Sequence, residues 1–415
     1  MQKKFTVLMV HNHYRISGGE DSVVDNERRL LEQNGHKVVL YTRNNDEIQE
    51  GGIGAKLVLG MTAIFSVKTY KEIKKIIKKE NIDIVHVHNT LSLVSPSVYY
   101  AALACKIPVI QTVHNFRLIC PGALLYRENK ICEECMAKGL KQAVRYGCYR
   151  NSRVQTLVSV LSTYIHRVTA IYKKINYICL TEFNRGKLLE VNKSGKEIFS
   201  EGKIFVKPNF TPEVIADVCT NRENMFVYVG RLEKEKGIPL LLEAWKQIKN
   251  KNLVICGSGT EEEWCRKYVE DNHMDNVQFM GQTQKAKALE VVAKAQALIF
   301  PSQWYEGFGM TIIESFSCGT PVIVNDIGNG SSLVQDGING RKFKRDSVED
   351  LIRVVLEWKG GMYQESKNTY LQKFTPQKNY EILNEIYNLV IHETCNKKKS
   401  YYNGKKDGNS DEQSK

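Results

Sequence analysis

Short runs of β-branched and aromatic residues alternate with amphipathic stretches from the start of the chain, the pattern of parallel strands joined by crossover helices. Phe5–Val10 predicts a strand, Asp21–Gln33 a helix stopped by Gly35, and Lys37–Thr42 the next strand. Tyr70, Ile73 and Ile77 recur at helical spacing within Lys68–Lys79. Strands follow at Ile82–Val87 and Ile107–Val113, around a helix near Pro96–Cys105. A loop-rich insertion over residues 117–151, a long helix to Lys174 and strands at Tyr177–Leu180 and Ile204–Val206 complete a first unit, 1–207. After a linker at Pro208 the pattern restarts at Met225–Val229 and continues through Leu253–Cys256, Val277–Met280, Ala297–Phe300 and Pro321–Val324. The expected fold is therefore α/β, with two doubly wound Rossmann-like domains: the first unit, then a second over 208–375. A C-terminal helix over 376–395 and a polar disordered tail over 396–415 are expected to follow.

Length agrees with this division, since 415 residues exceed what a single core usually organises. Hydrophobic residues at 42% and charged residues at 25% are ordinary for a globular chain. The balance of 59 Lys and Arg against 46 Asp and Glu, a net +13, favours anionic partners. No apolar run reaches the roughly 18 residues of a membrane span, and the one at the N-terminus is too short for a secretory signal. A cytoplasmic protein is expected, and its eleven cysteines should be largely reduced.

In open parallel sheets ligands bind beyond the carboxyl ends of strands, so the loops there are the ones to inspect. The first strand runs into HNHYRISGGED, where Gly18 and Gly19 let backbone approach a ligand ahead of a helix N-terminus. The strand Met225–Val229 runs into GRLEKEKG, placing Arg231 and Lys236 where two cations could grip a diphosphate. After Ala297–Phe300 comes PSQWYEGFGMTIIE, with Glu306 and Glu314 flanking a glycine-rich turn. Thr311-x-x-Glu314 also fits a helix capping box, which would give Glu314 a purely structural task.

The insertion carries Cys120, Cys132, Cys135 and Cys148 at spacing C-x11-C-x2-C-x12-C. A C-x2-C turn brings two thiolates to one tetrahedral ion, so a structural zinc is expected on these four. Its closed coordination would leave it no part in the chemistry.

GRLEKEKG, GSG, EGFGMTIIE and SCGTPVI, together with HNHYRISGGED, IVHVHN and TVHNFRLICP, resemble the retaining glycosyltransferases of family four, which have the GT-B fold of two domains facing across a cleft. The two glutamates separated by seven residues are that family's most specific mark. The resemblance implies that Arg231 and Lys236 bind the donor diphosphate, that Glu314 holds the ribose, and that Glu306 lies beside the transferred sugar. It further implies donor contacts from Gly18, Gly19, Phe308 and Gly309, and places His114 near the reacting centre. No catalytic metal is expected, because side-chain cations take that role. The expected activity is transfer of a sugar from a nucleotide-diphosphate donor, by default a UDP-sugar, with retention of anomeric configuration. The expected acceptor is a saccharide or lipid-linked saccharide of cell-envelope or capsule assembly. An anionic membrane surface on the inner face of the cell membrane is the expected partner, met by Lys68, Lys71, Lys74, Lys75, Lys78 and Lys79. Nucleic acid is not expected, for no nucleic-acid module is recognisable. Other GT-B enzymes, such as an epimerase, and a basic nucleic-acid-binding protein are the competing readings.

Overall fold

The computed structural model describes residues 3–14, 18–48, 52–212 and 222–407. Six parallel strands form the first sheet, at Thr6–His13 (β1), Lys37–Asn44 (β2), Ile84–Val87 (β3), Val109–Val113 (β4), Asn176–Cys179 (β7) and Ile204–Val206 (β8), in the order β2-β1-β3-β4-β7-β8. The short antiparallel pair Tyr126–Arg127 (β5) and Lys130–Ile131 (β6) lies in the insertion. A second parallel sheet is built from Met225–Val229 (β9), Asn252–Cys256 (β10), Val277–Gly281 (β11), Ala297–Phe300 (β12), Val322–Asn325 (β13) and Gly340–Phe343 (β14). Its order is β11-β10-β9-β12-β13-β14. The expected pair of doubly wound domains is what the chain forms. Sequence pattern alone had missed β14 and the helix Ile53–Ile64. The long helix expected to reach Lys174 ends at Val168 and restarts at Ile171, with Ala170 between them in the left-handed region.

Central strands such as Val7–Val10 and Phe226–Tyr228 are apolar on both faces because both faces are covered. One face of the first sheet packs Leu8, Val10, Val85 and Val113 against Ile73, Val98 and Tyr99 of the neighbouring helices. The other face receives Val7, Met9, Ile84 and Ile110, and what covers them comes from both ends of the chain. Val24, Leu30 and Leu31 belong to the helix Gly19–Gln33, while Tyr380, Leu383, Tyr387 and Val390 belong to the C-terminal helix. The last helix therefore completes the first domain, which is why it follows a second domain that is already whole.

That helix spans Pro376–Asp407, so the segment 396–407, expected to be a tail, instead continues it. Elongating an anchored helix costs no new nucleus, and lysine is a good helix former. The rest of the expected tail, 408–415, lies outside the described residues.

Candidate functional site

Strand order fixes where a ligand can enter. In the second sheet β10 lies on one side of β9 and β12 on the other, so the crevice opens between the loops that follow β9 and β12. These are the GRLEKEKG and PSQWYEGFG segments. In the first sheet the corresponding crevice lies between β1 and β3, beside the HNHYRISGGED and HNT loops. The two crevices meet. A Cβ on Gly307 would stand 2.5 Å from the carbonyl oxygen of His114, so only glycine lets these backbones approach so closely. Asn184 donates to the Gly307 carbonyl at 3.2 Å, and Asn329 donates to the carbonyls of Glu306 and Gly307.

On the C-terminal wall, Lys236 Nζ lies 2.8 and 3.0 Å from the two carboxylate oxygens of Glu306, and Ser302 Oγ donates to Oε1 at 2.6 Å. Burial alone would raise the Glu306 carboxyl, but the Lys236 ammonium and the Ser302 hydroxyl together hold it below its ordinary range. Arg231 is exposed, with no ion pair among the described residues. Gly237, with φ at 75°, leaves room for the Pro301 carbonyl that a Cβ would meet at 2.0 Å, which seats the two loops together.

Glu314 is the fifth residue of the helix Met310–Ser317, and its carboxylate pairs with Lys285 at 2.5 Å. The capping-box alternative falls: the N-cap is Gly309, in the left-handed region, and Thr311 lies inside the helix. Phe308 packs its ring in the core of the second domain with Ile312, Phe316 and Phe374, leaving only its backbone for a donor. Gly309 opens the helix N-terminus next to it.

On the N-terminal wall, His114 Nε2 lies 3.0 Å from His88 Nδ1, and the rings stack at 5.3 Å. His88 Nε2 is 3.4 Å and His86 Nδ1 3.2 Å from one oxygen of the buried Glu27, whose other oxygen accepts from Lys207 at 2.7 Å. Burial keeps His114 well below the usual histidine range, and its neighbour His88 adds to this, so the ring is neutral at pH 7. His11 is also pushed down, to about 4, by burial. Asp21 accepts from His11 at 2.8 Å, from His13 at 3.0 Å and from the Gly18 amide at 2.8 Å. The helix starts at Gly19, two residues before the expected Asp21, and Asp21 closes it as a cap. Gly18 and Gly19 have open space around them, while residues 15–17 of that loop lie outside the described residues.

Glu27, His88, Lys207, Asn184 and Asn329 were not anticipated from motifs. Glu20 was not either: burial pushes its carboxyl up to about 8, and Tyr14 donates to it at 3.1 Å. Two sets, His11–His13–Asp21 and Glu27–His86–His88, have ligand atoms close enough to hold a cation, but the Lys207 ammonium on the other oxygen of Glu27 already balances its charge. The four insertion cysteines are free thiols, and no three of their sulfurs lie within 4.8 Å of one another. A cavity of about 1540 Å³ in the first domain is lined by His114, Asn89 and Arg117 together with the apolar Met61, Phe65 and Val158.

Two family models match the chain: Glycosyltransferase Family 4 over residues 17–171 and Glycosyl transferases group 1 over 196–386. An uncharacterized glycosyltransferase of Methanocaldococcus jannaschii is 25% identical over 75% of this chain and 77% of its own length. The lipopolysaccharide 1,6-galactosyltransferase of Escherichia coli is 28% identical over 39% of this chain and 47% of its own. Among solved structures, Anabaena HepE in complex with UDP and glucose superposes with a TM-score of 0.59 at 14% identity, covering 92% of this chain and 98% of that one.

Proposed function

From the premise that this chain is a GT-B glycosyltransferase, we propose that it moves a sugar from a UDP-sugar to a saccharide, with retention of anomeric configuration. The observation that carries this reading is the pair of contacts at Glu306 and Gly307: Glu306 is held by Lys236, and the next residue lies against the backbone of His114. Arg231 and Lys236 take the diphosphate, Glu314 the ribose hydroxyls, and the amides of Phe308 and Gly309 add dipoles at the phosphate. Gly18 and Gly19 approach it from the opposite wall. The sugar–phosphate bond breaks as the bond to the acceptor oxygen forms on the same face, and the acceptor proton passes to the departing phosphate oxygen. Negative charge grows on the diphosphate, where fixed cations stabilise it most. The neutral His114 and the anionic Glu306 border the sugar, and no metal takes part. UDP is favoured because a structural neighbour is described with UDP and glucose bound. A panel of nucleotide sugars assayed by nucleotide release tests the reading. It predicts turnover with a UDP-sugar that Glu306→Gln slows by about 10²–10³, and transfer by that variant at the wild-type rate would overturn it.

The acceptor we assign is lipid-linked, in envelope or capsule assembly. The cavity beside His114 is lined by polar residues such as Asn89 and Arg117 and also by side chains of two helices, Ile53–Ile64 and Arg153–Val168. Gly60 lets these helices touch, since a Cβ there would already lie 3.3 Å from Val158. Leu57 and Met61, each 63% exposed, and Val154, 74% exposed, continue the apolar lining onto the surface. So large an uncovered apolar patch beside cations suits a lipid surface better than water. Lys68, Lys71, Lys75, Lys78 and Lys79 are exposed on the adjoining helix Val67–Glu80, each adding about 1 kcal/mol near anionic lipid. Among the described residues no helix is long and apolar enough to cross a membrane. Flotation with vesicles that contain phosphatidylglycerol, and loss of flotation in Leu57→Ser, Met61→Ser, are expected; equal flotation of both proteins sinks the assignment.

We also assign a structural zinc to Cys120, Cys132, Cys135 and Cys148. Burial and the three neighbouring thiols push Cys135 up to about 12 in the free protein, so binding must displace its proton. Because the sulfurs do not yet converge, the thiols have to close around the ion. Metal analysis of protein purified without chelator should find one zinc per chain, and its absence from active protein ends the assignment.

A further inference from the structure

One side chain of the donor loop goes unused in this reading. Tyr305 belongs to the second domain, yet its ring packs among residues of the first. It meets Phe183 edge to face at 4.8 Å and Phe116 at 6.2 Å, with Lys187 Nζ 5.5 Å from the ring centre. Its hydroxyl donates to Glu133 Oε1 at 3.0 Å, and Lys187 Nζ holds the same oxygen at 2.6 Å. From its own domain the ring is backed by Gly328, where a Cβ would come within 2.7 Å of Cδ1. Trp304, one residue earlier, meets Tyr126 of the insertion at 6.4 Å, and Glu306 follows one residue later.

We propose that Tyr305 is a latch between the domains, whose docking in the socket of Phe116, Phe183, Lys187 and Glu133 closes the cleft and sets Glu306 opposite His114. The proposal rests on the sugar-transfer reading above only for what the closure serves. A donor needs an open cleft to enter, and the transfer step needs Glu306 and His114 on either side of it. A single ring with one hydroxyl contact, at a rim where Glu133 is 34% exposed, can undock without unfolding either core. Glu133 sits between Cys132 and Cys135, so the thiol turn aims the carboxylate that receives the latch. The insertion, whose four-thiol site was expected to take no part in the chemistry, thereby acts on the transfer step through Glu133. Tyr305 and Glu133 are positioning residues: they act through the placement of Glu306.

Tyr305→Phe removes the hydroxyl and keeps the ring, and Glu133→Gln removes the charged acceptor. Each should slow single-turnover transfer about tenfold, the worth of one hydrogen bond to a charged group. UDP, whose charged contacts Arg231, Lys236 and Glu314 all lie in the second domain, should bind each within about twofold of wild type by calorimetry. The double variant should be no slower than either single, and Glu133→Asp should recover most of the rate. Without substrate, Tyr305→Ala should enlarge the radius of gyration measured by small-angle scattering. Additive losses, wild-type rates in both single variants, or an unchanged radius in Tyr305→Ala would each overturn the latch. Should no nucleotide sugar be turned over while Tyr305→Ala still opens the protein, the latch stands and the transfer reading falls.

Discussion

The two walls of the cleft are built by opposite means. The N-terminal wall is assembled before any ligand arrives: Lys207, Glu27, His86, His88 and His114 form one buried chain of contacts, tied to the last helix through Tyr387 and Asn379. The C-terminal wall pairs Lys236 with Glu306 and Lys285 with Glu314, and leaves Arg231 exposed. One side is rigid and neutral where it meets the sugar, and the other holds charge in reserve for a diphosphate. Mutations on the first should therefore cost stability, and mutations on the second should cost rate or affinity.

The largest effect is expected at the base of the rigid wall. Glu27→Gln leaves the buried Lys207 ammonium without its partner, a change worth about 3–5 kcal/mol when a buried pair is broken. Denaturant unfolding should show that loss, and Glu27→Gln, Lys207→Met should regain most of it. If the single variant unfolds at the wild-type midpoint, the pair is not what holds this wall.

On the facing wall Glu306→Gln should leave the midpoint nearly unchanged and lower kcat by about 10²–10³, with a small change in donor KM. Arg231→Ala, exposed and without an ion pair, should likewise spare stability and lower kcat/KM. Lys236→Ala should do both kinds of damage, because it strands the buried Glu306 carboxylate as well as removing a diphosphate cation. A purely kinetic defect in Lys236→Ala would erase this contrast between the walls.

Much of this difference explains what the sequence showed and what it hid. The C-terminal residues lie in two continuous segments of the chain, a loop after β9 and a loop running into the helix Met310–Ser317, so spacing and motif exposed Arg231, Lys236, Glu306 and Glu314 together. The N-terminal wall is drawn from a helix, two strand ends and a linker, at positions 27, 86, 88, 114 and 207, and no local pattern links them. A signal existed for Glu27: it falls in the apolar stripe Val23, Val24, Leu30 and Leu31, where a charge must find a buried partner. His86 and His88, two apart at a strand end, point to the same side, which is the other trace that was readable. Tyr305 was unreadable, since an aromatic between Trp304 and Glu306 says nothing about which domain it packs in. The interdomain role of the last helix was hidden too, because only the three-dimensional sheet shows an uncovered face.

Acid should also find the rigid wall first. His11, His86 and His114 are held neutral by burial, with His11 at about 4 and His86 at about 3 against 6.5 for a free ring. Their folded values are depressed, so the stability they give is complete above pH 6.5 and drains as pH falls toward the folded values. Glu20, raised to about 8, works the other way, for it binds a proton in the folded state that the unfolded chain gives up. The lowered rings outnumber the raised carboxyl, so unfolding takes up protons on balance and stability falls between pH 6 and pH 5. His36 and His166 are also lowered by burial and add in the same direction. Urea midpoints should fall accordingly, and Glu20→Gln, which removes the opposing proton, should steepen the fall; a flat profile over this range would mean the rings are not held neutral.

The smallest effect separates the two carboxylates of the donor loop. Glu314 pairs with Lys285, whose side chain is 59% exposed, and surface pairs of that kind contribute roughly 0–1 kcal/mol. Because Gly309 caps the helix, Glu314→Gln removes no capping interaction, and the unfolding midpoint should stay within error. The carboxylate lies in the helix that the glycine turn leads into, so its loss should act on the nucleotide end of the donor and leave the bond being broken untouched. Donor KM should rise about tenfold, the worth of a ribose hydrogen bond to a charged group, with kcat nearly constant. Glu306→Gln should show the reverse split. If Glu314→Gln lowered kcat while sparing KM, the two residues would have exchanged roles, and the C-terminal wall would have to be redrawn with Glu314 at the sugar.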